Sequence, residues 1–135
     1  CIYDIAHASK RTVALYFGGV DMAAELRCEH KWENLVYARS KLVHAGASIG
    51  VDVIDVPYLD LENMDGMKKE AELVRNLGFT GKGSIHPKQI NILNKNIYIL
   101  FLTFFMHEKI YFKSNNFISI QGILYIAHDY LNARL

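Results

Sequence analysis

Val13-Ala-Leu-Tyr-Phe-Gly-Gly-Val-Asp-Met-Ala-Ala-Glu-Leu26 is the stretch whose reading decides the fold. The apolar and β-favouring run Val13 to Phe17 stops abruptly at Gly18-Gly19. A carboxylate, Asp21, follows at once, and Met22 to Leu26 then reads as a short helix. A strand that ends in glycines and presents an acid is how barrel and doubly wound enzymes place a catalytic group or a metal ligand. The alternative role for Asp21 is that of an N-cap for the next helix.

Outward from this stretch the chain keeps one rhythm. Ile2, Ile5 and Ala6 recur at helical spacing, so Ile2 to Lys10 reads as a helix end, and Thr12–Phe17 is the strand it feeds. Arg27 to Asn34, with His30 and Trp32, reads as a loop. Leu35 to Ala47 is a helix, because Leu35, Val36, Leu42, Val43 and Gly46 share a face with Arg39. An arginine on such a stripe snorkels or pairs with an acid at its edge, so a structural role is expected.

Val51 to Leu61 follows as a buried strand carrying Asp52, Asp55 and Asp60. Pro57 cannot donate to a central ladder and ends the strand near Asp55–Val56. Asp55 therefore falls at the strand's C-terminal end, as a site candidate or as an aspartate bonded into a turn. Asp65 to Leu77 is the clearest helix, with Asp65 as N-cap, Met67, Ala71, Val74 and Leu77 inward, and Gly78 as terminator. Lys68, Lys69, Glu70, Glu72 and Arg75 are expected to form its solvated face. Phe79 to Ile85 is a loop and a short strand closed by His86-Pro87, with Lys88–Leu93 as the next helix. His86 suits a base, a phosphate donor, a metal ligand or a helix cap.

Strict alternation of helix and strand implies parallel crossovers and an α/β sheet or barrel. Three strands cannot close a barrel and would leave long edges, so the residues up to about 94 read as a slice of something larger.

Composition excludes more than it assigns. A chain of 135 residues that is 51% hydrophobic and 21% charged fits one globular domain or part of one. The net charge of +1 comes with no long basic patch, so nucleic acid is not an expected partner. Cys1 and Cys28 have neither metal-ligand spacing nor a disulfide framework, which makes a reducing compartment the expectation. The sequence begins at Cys1 rather than a methionine and is read as the interior of a longer protein.

Three segments carry a resemblance: FGGVDMAAEL (17–26), ENLVYARSKLV (33–43) and IDVPYLDLENMDGMKKEAELVRNLGFTGKGSIHPKQI (54–90). In this order and spacing they resemble the citrate lyase β-subunit family. That family belongs to the HpcH/HpaI aldolase superfamily and is similar to malyl-CoA lyases. The resemblance implies a TIM barrel, of which this chain supplies an incomplete C-terminal part. It also implies cleavage or formation of a carbon–carbon bond next to an acyl-CoA thioester, of citryl-CoA or malyl-CoA type, giving acetyl-CoA and an oxo acid.

A divalent cation, Mg²⁺, is implied as cofactor, holding the substrate's hydroxy- or keto-carboxylate and stabilising oxyanion charge. The acid after the glycine turn is one of its two carboxylate ligands, and here that is Asp21. The second, a glutamate on the preceding strand, and a substrate-binding arginine have no counterpart in this chain. Asp55, His86 and Pro87 are the expected substrate-lining residues, and no catalytic residue is assigned. The family further implies a homo-oligomer and a cytoplasmic location, or a mitochondrial one if a targeting segment precedes Cys1.

After Asn94 the resemblance fails. Residues 1–94 are the partial barrel segment, and residues 95–135 are expected to be a divergent helical or irregular tail. Ile97–Met106 is apolar on nearly every face but too short to span a bilayer. It suits a buried or associating element, and Tyr125–Arg134 suits a short amphipathic helix. The Asn, Lys, Ile, Phe and Tyr bias from Lys95 to Ile120 is what a shifted reading frame, an unspliced segment or a degraded gene would each produce. The second function class is therefore a truncated, non-catalytic remnant, or a piece that persists by association.

Overall fold

The computed structural model describes residues 1–101, 117–120 and 123–127. The chain opens with α1 (Ile2–His7), β1 (Thr12–Phe17) and α2 (Gly19–Glu25). It continues with α3 (Trp32–Ile49), β2 (Asp52–Asp55), α4 (Met64–Leu77), β3 (Gly81–Ser84) and α5 (Pro87–Asn96). Three strands follow: β4 (Tyr98–Phe101), β5 (Phe117–Ile120) and β6 (Ile123–Ala127). They form one sheet in the order β4-β3-β2-β1-β6-β5.

β1 to β4 are parallel neighbours in chain order, joined by α3, α4 and α5. Those helices pack side by side, α3 on α4 and α4 on α5, with α1 against α3. Successive crossovers of one hand to the next strand along put every helix on the same face, as in a barrel wall. The α/β class with a parallel sheet is therefore as expected. Among the described residues the parallel strands do not close into a barrel. β6 instead lies antiparallel on the outer edge of β1, from Thr12↔Ala127 to Phe17↔Ile123, and β5 pairs with β6.

Strand alternation sorts the side chains between the two faces. Leu15, Phe17 and Val53 join Leu35, Leu42, Ala45, Met67, Ala71 and Val74 in the core between sheet and helices. Ala14, Tyr16 and Ile54 belong to the other face and are also buried. α3 can lie close to the sheet because Gly46 carries no side chain. A Cβ there would run into the Val53 side chain.

Helix boundaries differ from expectation where a better cap was available. α4 starts at Met64 because the Asn63 side chain accepts the Gly66 N–H at 2.8 Å, and Asp65 sits inside the first turn. α3 begins three residues earlier than the apolar periodicity suggested, at Trp32, and ends at Gly50 in the left-handed region, φ 69°. Gly78 ends α4 in the same region, φ 109°.

The tail departs further from its expected helical or irregular character. Tyr98–Phe101 and Ile123–Ala127 are strands, consistent with their β-branched and aromatic content. The remainder of the expected apolar element and of the expected short helix, at 102–106 and 128–134, lies outside the described residues.

Candidate active site

The turn after β1 is built around glycine. Gly18 is the N-cap of α2 and its carbonyl accepts the Met22 N–H at 2.9 Å. A Cβ on Gly19 would sit 3.0 Å from the Phe17 ring, 3.0 Å from Val56 Cγ1 and 3.1 Å from His30 Nε2, so only glycine fits without displacement. Asp21 stands in the first turn of α2 and is exposed. It is not the N-cap, and its carboxylate makes no hydrogen bond or ion pair among the described residues. An acid there is favoured by the helix dipole and remains available to a ligand.

Behind this turn lies a buried charge cluster. Arg39 of α3 donates from Nε to Asp55 Oδ1 at 2.8 Å and from Nη2 to Asp55 Oδ2 at 3.5 Å. Lys82 of β3 donates to Asp55 Oδ2 at 2.7 Å, to the Val56 carbonyl at 2.8 Å and to Glu70 Oε1 of α4 at 2.7 Å. Arg39, Asp55 and Lys82 are essentially inaccessible, and the Glu70 side chain is 18% exposed. The Arg39 guanidinium is also stacked between Phe17 and Trp32, 5.0 and 4.8 Å from the ring centroids. Its Nη1 is buried with no partner among the described residues.

This arrangement corrects two expectations. Asp55 does not line an open site. It shares the face of β2 with Val53 and points into the helix layer, where both of its oxygens are bound by cations. Glu70 does not belong to a fully solvated face of α4, because it reaches back to Lys82. The structural role expected for Arg39 holds, with Asp55 as the acid at the stripe's edge.

His86 is the N-cap of α5: its Nδ1 accepts the Lys88 N–H at 3.1 Å, and Pro87 occupies the first helical turn. Gln89 completes the cap. Its buried Oε1 accepts from the N–H of Ile85 at 2.9 Å, the N–H of His86 at 3.3 Å and Ser84 Oγ at 3.0 Å. Its Nε2 donates to the Tyr58 carbonyl at 2.8 Å, tying the loop after β2 to the loop after β3. The imidazole thus works as a cap, with only Nε2 left to meet a ligand.

Two groups near the cluster are electrostatically shifted. Burial, reinforced by the Asp55 carboxylate, pushes the Tyr16 phenol far above its ordinary range, so it stays protonated. Burial first, then the Arg39 charge, holds the His30 imidazole below its usual value, against the opposing pull of Glu70 and Asp55. Sequence reading left out Lys82, Gln89 and Tyr16. A lysine between two glycines within a short strand, and a Gln three residues after an N-cap, were the available signals.

No group of three or more His, Cys, Asp or Glu among the described residues could hold a metal ion. Asp21 alone does not make a Mg²⁺ site, which takes carboxylate and further oxygen ligands together.

Parallel strands with helices on one face, and an unbonded acid on a glycine turn beyond β1, place the chain in the α/β class whose sites form at the C-terminal ends of the strands. Residues 1–87 match the family model of HpcH/HpaI aldolase/citrate lyase, and the chain belongs to that family. The citrate lyase subunit beta of Escherichia coli (strain K12) is 38% identical over 97 residues, covering 70% of this chain and 32% of that protein. The mitochondrial citramalyl-CoA lyase of Rattus norvegicus is 33% identical over 84 residues, 61% of this chain and 25% of that protein. The crystal structure of RipC from Yersinia pestis, 37% identical, superposes with a TM-score of 0.69 over 70% of this chain and 44% of that chain. The chain spans about a third or less of the length of these curated relatives.

Proposed function

We propose that this chain is part of a carbon–carbon lyase acting on an acyl-CoA thioester of citryl-CoA, malyl-CoA or citramalyl-CoA type. The single observation that carries this reading is Asp21. It is an exposed carboxylate, unbonded among the described residues, on the glycine turn beyond β1, in a segment that belongs to the aldolase/citrate lyase family. In such a reaction the substrate's hydroxyl loses its proton and the adjacent carbon–carbon bond breaks. An oxo acid leaves, and the electron pair stays on the carbon next to the thioester, which takes up a proton to give acetyl-CoA.

Asp21 is the residue of this chain that would ligate Mg²⁺ in the whole protein, and a bound Mg²⁺ supplies charge stabilisation for the substrate oxygens. Among the described residues no group completes a site around Asp21, so any other protein ligand would lie outside them. His86 Nε2 and the Pro87 turn are retained as candidate contacts for the substrate, and Asp55 is not. A homo-oligomer and a cytoplasmic or mitochondrial location are part of the same proposal. No helix among the described residues is long and apolar enough to cross a membrane.

The test is a chimera in which residues 2–94 replace the matched segment of the Rattus norvegicus citramalyl-CoA lyase. A folded chimera that cleaves citramalyl-CoA in a Mg²⁺-dependent manner supports the reading. A folded chimera without activity contradicts it and favours the second one, a non-catalytic remnant. That alternative rests on the absence, among the described residues, of a group of three or more His, Cys, Asp or Glu able to hold a metal ion.

A further inference from the structure

The tightest point of the β1–α2 turn is Gly19, whose missing side chain is crowded by Phe17, Val56 and His30. Two of the three neighbours, Phe17 and Val56, touch the same buried cluster. The Phe17 ring lies against the Arg39 guanidinium. The Val56 carbonyl accepts a hydrogen bond from Lys82 Nζ. His30 sits in the field of Arg39, Glu70, Asp55 and Lys82. None of these contacts touches Asp21 itself, yet together they wall the turn that carries it.

Apolar side chains of similar volume would join sheet and helices without burying three charges and an Nη1 that has no partner among the described residues. What they could not do is fix a ring plane and a carbonyl by direction. We infer that Arg39 and Lys82 are positioning residues for Asp21, acting through Phe17 and Val56 to hold the Gly18–Gly19 turn in one geometry. The inference deepens the proposed function and rests on Asp21 being the metal ligand.

Amide hydrogen exchange on the 135-residue chain tests it without any metal. The Met22 N–H, which donates to the Gly18 carbonyl, reports the turn, and the Val74 N–H in α4 reports global opening. Arg39→Met is expected to lower protection at Met22 relative to Val74 by about tenfold, the scale of a desolvated cation–π contact. Arg39→Lys, which keeps the charge and loses the planar stack, is expected to lower it less. The His30 midpoint, followed by NMR, should rise in Arg39→Met and stay in Arg39→Lys.

If Arg39→Met does not fold, Trp32→Leu removes one stacking ring and no charge, and should show the same selective loss of roughly threefold. Protection at Met22 and Val74 falling in step in the folded variants would mean that the cluster only stabilises the fold, and would overturn the inference. Failure of Asp21 as a ligand would leave the exchange result standing. Equal loss at both amides would leave Asp21 to be judged by the Asp21→Asn variant alone.

Discussion

Lys82→Met is the substitution that weighs the buried cluster. The native ammonium uses its donors on Asp55, Glu70 and the Val56 carbonyl, each within 2.8 Å. Methionine fills much the same space and donates nothing. Removing one partner of a buried ion pair costs about 3–5 kcal/mol because the other charge is stranded. Two features argue for the lower end. Asp55 keeps the Arg39 Nε bond at 2.8 Å, and the Glu70 side chain, already 18% exposed, can turn to water.

The expected loss is therefore about 3 kcal/mol, which for a chain of this size lowers Tm by roughly 10 °C. Urea unfolding followed by circular dichroism measures it, with an unchanged m-value showing that the unfolded state is the same. Lys68→Met, on the exposed side of α4, is the control and should stay within about 0.5 kcal/mol of the parent. A double-mutant cycle with Asp55→Leu should show that the two losses do not add. A loss below about 1 kcal/mol for Lys82→Met would refute the reasoning, since a group that inaccessible cannot be removed so cheaply if the cluster exists.

Three further outcomes are expected. Gly46→Ala places a methyl against Val53 and should destabilise by roughly 1–3 kcal/mol, visible as a lower urea midpoint; a neutral substitution would contradict the close approach of α3 to β2. His86→Ala removes the cap of α5 and should cost about 1 kcal/mol with faster exchange at Lys88, whereas unchanged exchange would show that the imidazole does not cap. His30 has a folded pKa below its ordinary 6.5, so the unfolded chain binds the proton more readily. Its contribution is fully present above that value and is lost as pH falls through the lowered folded pKa. His30→Gln should lose less stability than the parent between pH 7 and about 5, and superimposable curves would be contrary to the assignment.

The elements were legible because they rest on local chemistry. Pro57 and the glycine pairs punctuate the strands, the α4 stripe of Met67, Ala71 and Val74 has clear helical spacing, and β1 has the expected bounds. The α3–Asp55 ion pair was half legible: an arginine on an apolar stripe asks for an acid, but its sequence cannot say which of three aspartates answers. Only the strand parity seen in the fold, with Val53 and Asp55 toward the helices, chooses Asp55 and removes it from the substrate side. Lys82 was missed because a charged side chain in a short glycine-rich strand reads as solvated until its partners are in place, and Gln89 because the first turn of a helix such as α5 is ordinarily solvated. β6 on the edge of β1 is a pairing between distant segments, and no local pattern specifies it.

Asp21 carries the central claim, and its replacement within the citramalyl-CoA lyase chimera tests that claim most directly. Acetyl-CoA release from citramalyl-CoA would be followed at saturating Mg²⁺ for the chimera and for the same protein carrying Asp21→Asn, with matched circular dichroism. Loss of an electrostatic contact to the reacting oxygens is worth on the order of a hundredfold in rate or more, and that is the result expected. An Asp21→Asn chimera that cleaves the thioester as fast as its parent would contradict the assignment of Asp21 as metal ligand.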